Sequence, residues 1–228
     1  MGHSLAEVEW KAYPADTGQR IRHFYNSKNQ LPLWANKTKI NLARRLFEVY
    51  GPEMILSVLT TAQPYCWCCI QVSQAGYWQA GQTISDLQLF IAIMSEQNPL
   101  PGESSAVKML LKKRLENART RYEIKKTSMH AIIPQQPLNQ EDLTAFILAH
   151  GAGVLLKVQK EMGIDLSRNE QEAIIHFWNV AGYFLGLRQM LLPVNYQEAL
   201  GLMDDIINHR AQASEAINDT CKNHIQFI

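Results

Sequence analysis

The segment EAIIHFWNVAGYFLGL, Glu172 to Leu187, limits the fold more than any other part of the chain. Wound at about 100° per residue it is apolar on nearly every side, and such a helix must be surrounded by other elements rather than lie on a surface. A bilayer is not the surrounding it needs. The longer apolar run GYFLGLRQMLLP is broken by Arg188 and closed by Pro193, too short and too charged to span a membrane. The expectation is the central helix of a large all-α domain. A chain of 228 residues, 46% hydrophobic and 19% charged, has the material for one sizeable core.

Helix punctuation recurs along the rest of the chain, and hairpin turns are missing. Asn36 can cap KTKINLARRLFEVY, which Gly51-Pro52 should stop, and PEMILSVLTTA restarts with proline in its first turn. A helix from Tyr65 to about Ala75 and another over ISDLQLFIAIMSEQ follow, the latter ended by NPLPG. The spacing predicts a further helix from about Ser104 to Lys126. Three capping boxes then open the last helices: Asn139 with Asp142, running to Met162 before Gly163; Ser167 with Glu170; and Asn195 with Glu198, running to about Ile217. The sum is about eight helices and no strands.

Composition removes several function classes. A net charge of +1 with short, interleaved basic clusters gives no field for nucleic acid. No Gly-x-Ser-x-Gly elbow supports a hydrolase, and no glycine loop supports a nucleotide site. Cys66, Cys68 and Cys69 lack zinc-ligand spacing, Cys221 lies far along the chain, and the cluster is expected as thiols on a buried helix in a reducing compartment. No transmembrane segment or signal peptide is read, so the expected location is the cytoplasm.

Two places could carry chemistry. In KKRLENARTRYEIKK, Val107, Leu111, Leu115, Ala118 and Tyr122 form one apolar stripe, and Arg114, Asn117 and Arg121 share its edge. Long cations snorkelling beside a core would look the same. The second place is His150, on one face with Leu143, Ile147, Val154 and Val158, beside Gly151 and Gly153. Those glycines leave room for either a packed core or a planar cofactor, and a lone histidine on an apolar face is more often a hydrogen-bonded core residue than a ligand. Gly182 and Gly186 would likewise admit a helix or a flat ligand.

The run from Pro137 to Ser214 resembles the second half of the rubber oxygenase/MpaB-type oxygenase domain. The resemblance is carried by PLNQED at Pro137 to Asp142, the lone Gly163, Trp178 followed by Gly182-Tyr183 and Gly186, the Pro193 break and the helix after Asn195. Upstream, LPLWANKTKINLARRLFEVYGPEMILSVL is similar to the family's Leu-Pro-x-Trp opening and Tyr-Gly-Pro turn. It divides the chain into an N-terminal extension, 1–30, an oxygenase-family helical domain, 31–214, and a tail, 215–228.

The resemblance implies an all-α, globin-related fold binding b-type haem, whose iron activates dioxygen to attack an apolar, isoprenoid or lipid-like substrate. The family's haem motif, Arg-Leu-x-His-Ala-x-x-Arg, falls on Arg114-Leu115-Glu116-Asn117-Ala118-Arg119-Thr120-Arg121, with Asn117 where the histidine belongs. The family's distal basic group falls where this chain has no Lys or Arg between Gln79 and Phe90. Asparagine is a poor ligand for haem iron. Three readings follow: an oxidoreductase whose haem takes His150, or else His176, as metal ligand, with Arg114 and Arg121 in the catalytic site; a cofactor-free relative that holds a hydrophobic ligand, its two arginines meeting a carboxylate or phosphate; and a different metal, at Glu172 and His176, four apart on one helix face, for which neither of the two Glu-x-x-His pairs of a di-iron bundle is present.

Overall fold

The computed structural model describes residues 15–70, 80–96, 104–126 and 136–213, and among these the chain is helical without a strand. In chain order the helices are α1 Ala15–Lys28, α2 Lys37–Ser57, α3 Gln63–Cys69, α4 Ala80–Ser95, α5 Ser105–Lys126, α6 Gln140–Leu148, α7 Val154–Lys160, α8 Arg168–Leu185 and α9 Tyr196–Ala213. The segments 71–79 and 97–103, which hold the expected end of the Tyr65 helix and the NPLPG turn, lie outside the described residues.

The helix starts are where side-chain caps place them. Asn36 accepts from the Thr38 and Lys39 amides, and both Asn139–Asp142 and Ser167–Glu170 close as reciprocal capping boxes. Asp142 also meets Arg210 of α9 at 3.1 Å, with both groups buried, so one residue caps α6 and ties it to α9. The Gly51-Pro52 stop is a kink instead. α2 runs through Pro52, and the bend is absorbed at Tyr50, whose φ of −117° and ψ of 23° are not helical.

Helix α8 is the centre of the packing. Ala173, Ile174, Trp178, Ala181 and Phe184 are buried among α2, α5 and α6. α8 ends at Gly186, in the left-handed region at φ 94°, where the Leu187 amide closes on the Gly182 carbonyl at 2.9 Å. No L side chain fits there comfortably, and a Cβ would also lie 2.7 Å from Nε of Arg114.

Two π-helical turns interrupt otherwise continuous rods. Val58–Ala62 joins α2 to α3, Ala149–Gly153 joins α6 to α7, and the two turns pack against each other. Such turns widen a helix by one residue and concentrate at functional sites. His150 sits in the second.

The predicted apolar stripe on α5 holds only in its first half. Val107 and Leu111 are buried, whereas Ala118 and Tyr122 are exposed. The buried line instead passes through Leu110, Asn117 and Ile124, with Arg114 and Arg121 half-buried along it. The supposed edge is the inward face of the helix.

A candidate site between the apolar cleft and the α5 arginines

An apolar cleft opens where α2, α4, α5 and α8 meet, with an empty space, counting its open mouth, of about 430 Å³. Ile40, Ile93, Val107, Leu110, Phe177 and Phe184 supply most of its wall. Two of its polar residues are engaged in capping α5: Glu96 accepts from the Ser105 amide at 2.8 Å, and Ser104 Oγ accepts from the Val107 amide at 3.1 Å. Arg44 is the third polar residue of the lining, and the rest of the wall is hydrocarbon.

One helical turn beyond Leu110, Arg114 lies against Gly186 with its guanidinium 5.6 Å from the Phe24 ring centroid. Asn117 follows at 8% exposure. Arg121 donates to the Leu138 carbonyl at 3.0 Å, and Leu138 itself holds φ at 50°. Burial lowers the pKa of both arginines, and Arg114 lowers that of Arg121 further by like-charge repulsion.

His150 points inward, as its face predicts, and is 1% exposed. Its Nδ1 donates to the Phe146 carbonyl at 2.8 Å, while Nε2 is buried without a hydrogen-bond partner. The rings of Phe146, Trp178 and Phe90 stand 4.3, 5.3 and 6.1 Å away. Burial holds its pKa below 6.5. His176 is not an inward ligand: its Nε2 accepts from the Asn36 amide at 2.8 Å, and its ring meets Trp34 edge-on. Its neighbour Glu172 binds Lys39 and Arg168, and no cluster of metal-ligating groups exists among the described residues.

Both histidines have depressed pKa values, burial being the first cause, so the folded chain keeps them neutral while the unfolded chain takes up protons below about 6.5. Their contribution is therefore complete above about pH 6.5 and is lost as pH falls below it, with a limiting slope near 1.4 kcal/mol per pH unit for each group. Urea midpoints for His150→Leu measured on both sides of that pH should show a flatter acid slope than the native chain. An unchanged slope would mean that His150 is not sealed.

The residues that sequence reasoning missed are Asp86 and Lys113. Asp86 is 1% exposed in α4 and pairs with Lys113 of α5 at 2.7 Å. This pair acts electrostatically on both His150 and Cys66. The segment that lacks its own Lys or Arg thus receives a cation from α5. Nearby, Cys66 and Cys69 are free and buried, with burial raising both thiols, Cys69 to about 12. Cys68 is disulfide-bonded, its partner lying outside the described residues, which corrects the all-thiol expectation and removes that support for a reducing compartment.

Residues 124–227 match the family profile described as ER-bound oxygenase mpaB/B'/Rubber oxygenase, catalytic domain. The matched stretch, under half of the chain, is thus similar to the rubber oxygenase/MpaB catalytic domain. Among solved structures it is similar to latex clearing protein LCP in the closed state, with a TM-score of 0.70 and 18% identity over 92% of this chain. The likeness is one of fold, and this chain spans 58% of the length of that one. No curated protein matches the chain.

Against the haem that the rubber oxygenase/MpaB resemblance implies, the donor set fits poorly. Asn117 does stand on the inward face of α5, but its amide is a poor ligand for haem iron. His150 has the chemistry of a ligand, a free Nε2 on an imidazole anchored through Nδ1. It lacks the space, because Nε2 reaches no gap that even a water could enter. The glycine gaps that could have admitted a planar ring are taken: a Cβ on Gly151 would lie 3.3 Å from Trp178, and one on Gly182 would lie 3.2 Å from Ile147. Aromatic rings pack the interior beside His150.

Proposed function

We propose that this oxygenase-family chain holds an apolar small molecule, of isoprenoid or lipid-like class, in the cleft beside α5 and α8, without haem as a resident group. The cleft carries the reading: its wall is hydrocarbon apart from Arg44, Glu96 and Ser104, and the last two are engaged as helix caps. The chain's own residues would bind by excluding water along Leu110, Val180 and Phe184. Such a protein presents a bound hydrophobic molecule rather than transforming it. A cytoplasmic location belongs to this reading on composition alone, and among the described residues no helix is long and apolar enough to cross a membrane.

A long-chain isoprenoid alcohol such as farnesol should bind the purified chain at one saturable site. Ala106→Phe, which fills the cleft from α5, should weaken that binding about tenfold or more with the helical circular dichroism unchanged. Equal binding by native and plugged chains would move the ligand elsewhere.

One observation favours a second reading, that of a haem-dependent oxidoreductase using dioxygen on the same class of substrate. It is the anchored, unpartnered imidazole of His150. Haem would supply oxygen activation there, and Phe146, Phe90 and Trp178 would have to withdraw to admit it. The visible spectrum separates the two. No intense band near the blue edge is expected after reconstitution, and stoichiometric colour that His150→Leu abolishes would establish the second reading.

A further inference from the structure

Arg114 and Arg121, two of the three arginines of α5, lack a counter-charge among the described residues. The acids of their own helix face the other way: Glu116 is near Lys112 and Glu123 near Arg119, both pairs on the exposed side. Arg114 contacts Phe24 and the Gly186 backbone, and Arg121 contacts the Leu138 carbonyl; neither makes an ion pair among the described residues. Between them Asn117 is more than nine-tenths buried, and its amide has no hydrogen-bond partner among the described residues. Bringing like charges together while stripping water from them is unfavourable unless something repays it.

The surrounding backbone is shaped to this spot. Leu138 is held in the left-handed region while its carbonyl faces Arg121, a conformation that persists only where the surroundings impose it. Gln140 fastens the two loops together, donating to the Gly186 carbonyl at 3.2 Å and accepting from the Arg188 amide at 2.8 Å. Two half-buried guanidiniums and an unpartnered amide on one helix face can hold a planar or tetrahedral oxyanion through charge-assisted hydrogen bonds.

Position relative to the cleft supplies the rest. Leu110 and Phe184 line the cleft, Arg114 lies one turn past Leu110, and Gly186 lies two residues past Phe184. α5 and α8 therefore run together from the hydrocarbon wall to Arg114, about 6 Å further along α5, with Arg121 about 16 Å from Leu110 on the same face.

We propose that Arg114 and Arg121, with the Asn117 amide between them, form an anion site for the carboxylate or phosphate head group of an amphiphile whose tail lies in the apolar cleft. The tail's placement rests on the ligand-binding reading above; the anion site rests on the arginines alone.

Calorimetric titration of the native chain with monomeric oleate, with oleyl alcohol and with inorganic phosphate tests both parts. Oleate should bind about tenfold or more tightly than the uncharged alcohol. Arg114→Gln, which removes no hydrogen bond of the folded chain, and Arg114→Gln/Arg121→Gln should bring oleate down toward the alcohol and leave the alcohol unchanged. Phosphate binding that both variants abolish supports the anion site and assigns it to a free anion. If oleate and the alcohol bind equally and phosphate does not bind, the anion site is overturned while the cleft reading stands. If the alcohol fails and an arginine-dependent anion still binds, the cleft reading fails and the anion site stands.

Discussion

Trp178→Ala is expected to lower unfolding stability by about 3–5 kcal/mol, the usual cost of deleting a large buried aromatic. Trp178 is 2% exposed, stacks on Phe90 with centroids 5.6 Å apart, and is 5.3 Å from the His150 ring. Its loss would leave Phe90, His150 and Gly151 facing a void that α8, fixed on three sides, cannot close by moving. Trp178→Phe should fall between native and alanine, because it keeps a ring against Phe90. Urea unfolding measures both, and an alanine cost below about 1 kcal/mol would show that the interior relaxes freely. The void has a functional consequence too. Adjoining the Nε2 of His150, it would give that nitrogen its first accessible space.

Much of the fold was legible because its determinants are local. A capping box needs three residues of context, and both boxes described in full are present where their sequence places them. The central helix was legible for a similar reason, since a segment apolar on every side has only one place to go. The rotation of α5 was not. Leu115, Ala118 and Tyr122 make a plausible stripe, yet tertiary packing turned the helix so that Arg114, Asn117 and Arg121 face inward and Tyr122 is 57% exposed. A charged window carries too little apolar contrast to fix its own orientation. The π turns were invisible for another reason. Widening a helix by a residue is imposed by the partner it packs against, here a second π turn some ninety positions away in sequence.

The interior ion pair was within reach of the sequence. ISDLQLFIAIM carries one carboxylate in a run of apolar residues, and a helix of that kind can bury its Asp only against a cation. Which cation lay beyond sequence, since Lys113 is on another helix. Lys113→Met is expected to cost about 3–5 kcal/mol by leaving the Asp86 carboxylate buried without its cation. Lys113→Met/Asp86→Leu should recover most of that loss, because the pair itself gains little over hydrocarbon once its desolvation is counted. The double-mutant cycle on urea unfolding, completed by Asp86→Leu alone, reads this as a double-mutant loss far smaller than the sum of the two single losses. Additive losses would mean that Asp86 is held by other groups and that Lys113 is a bystander.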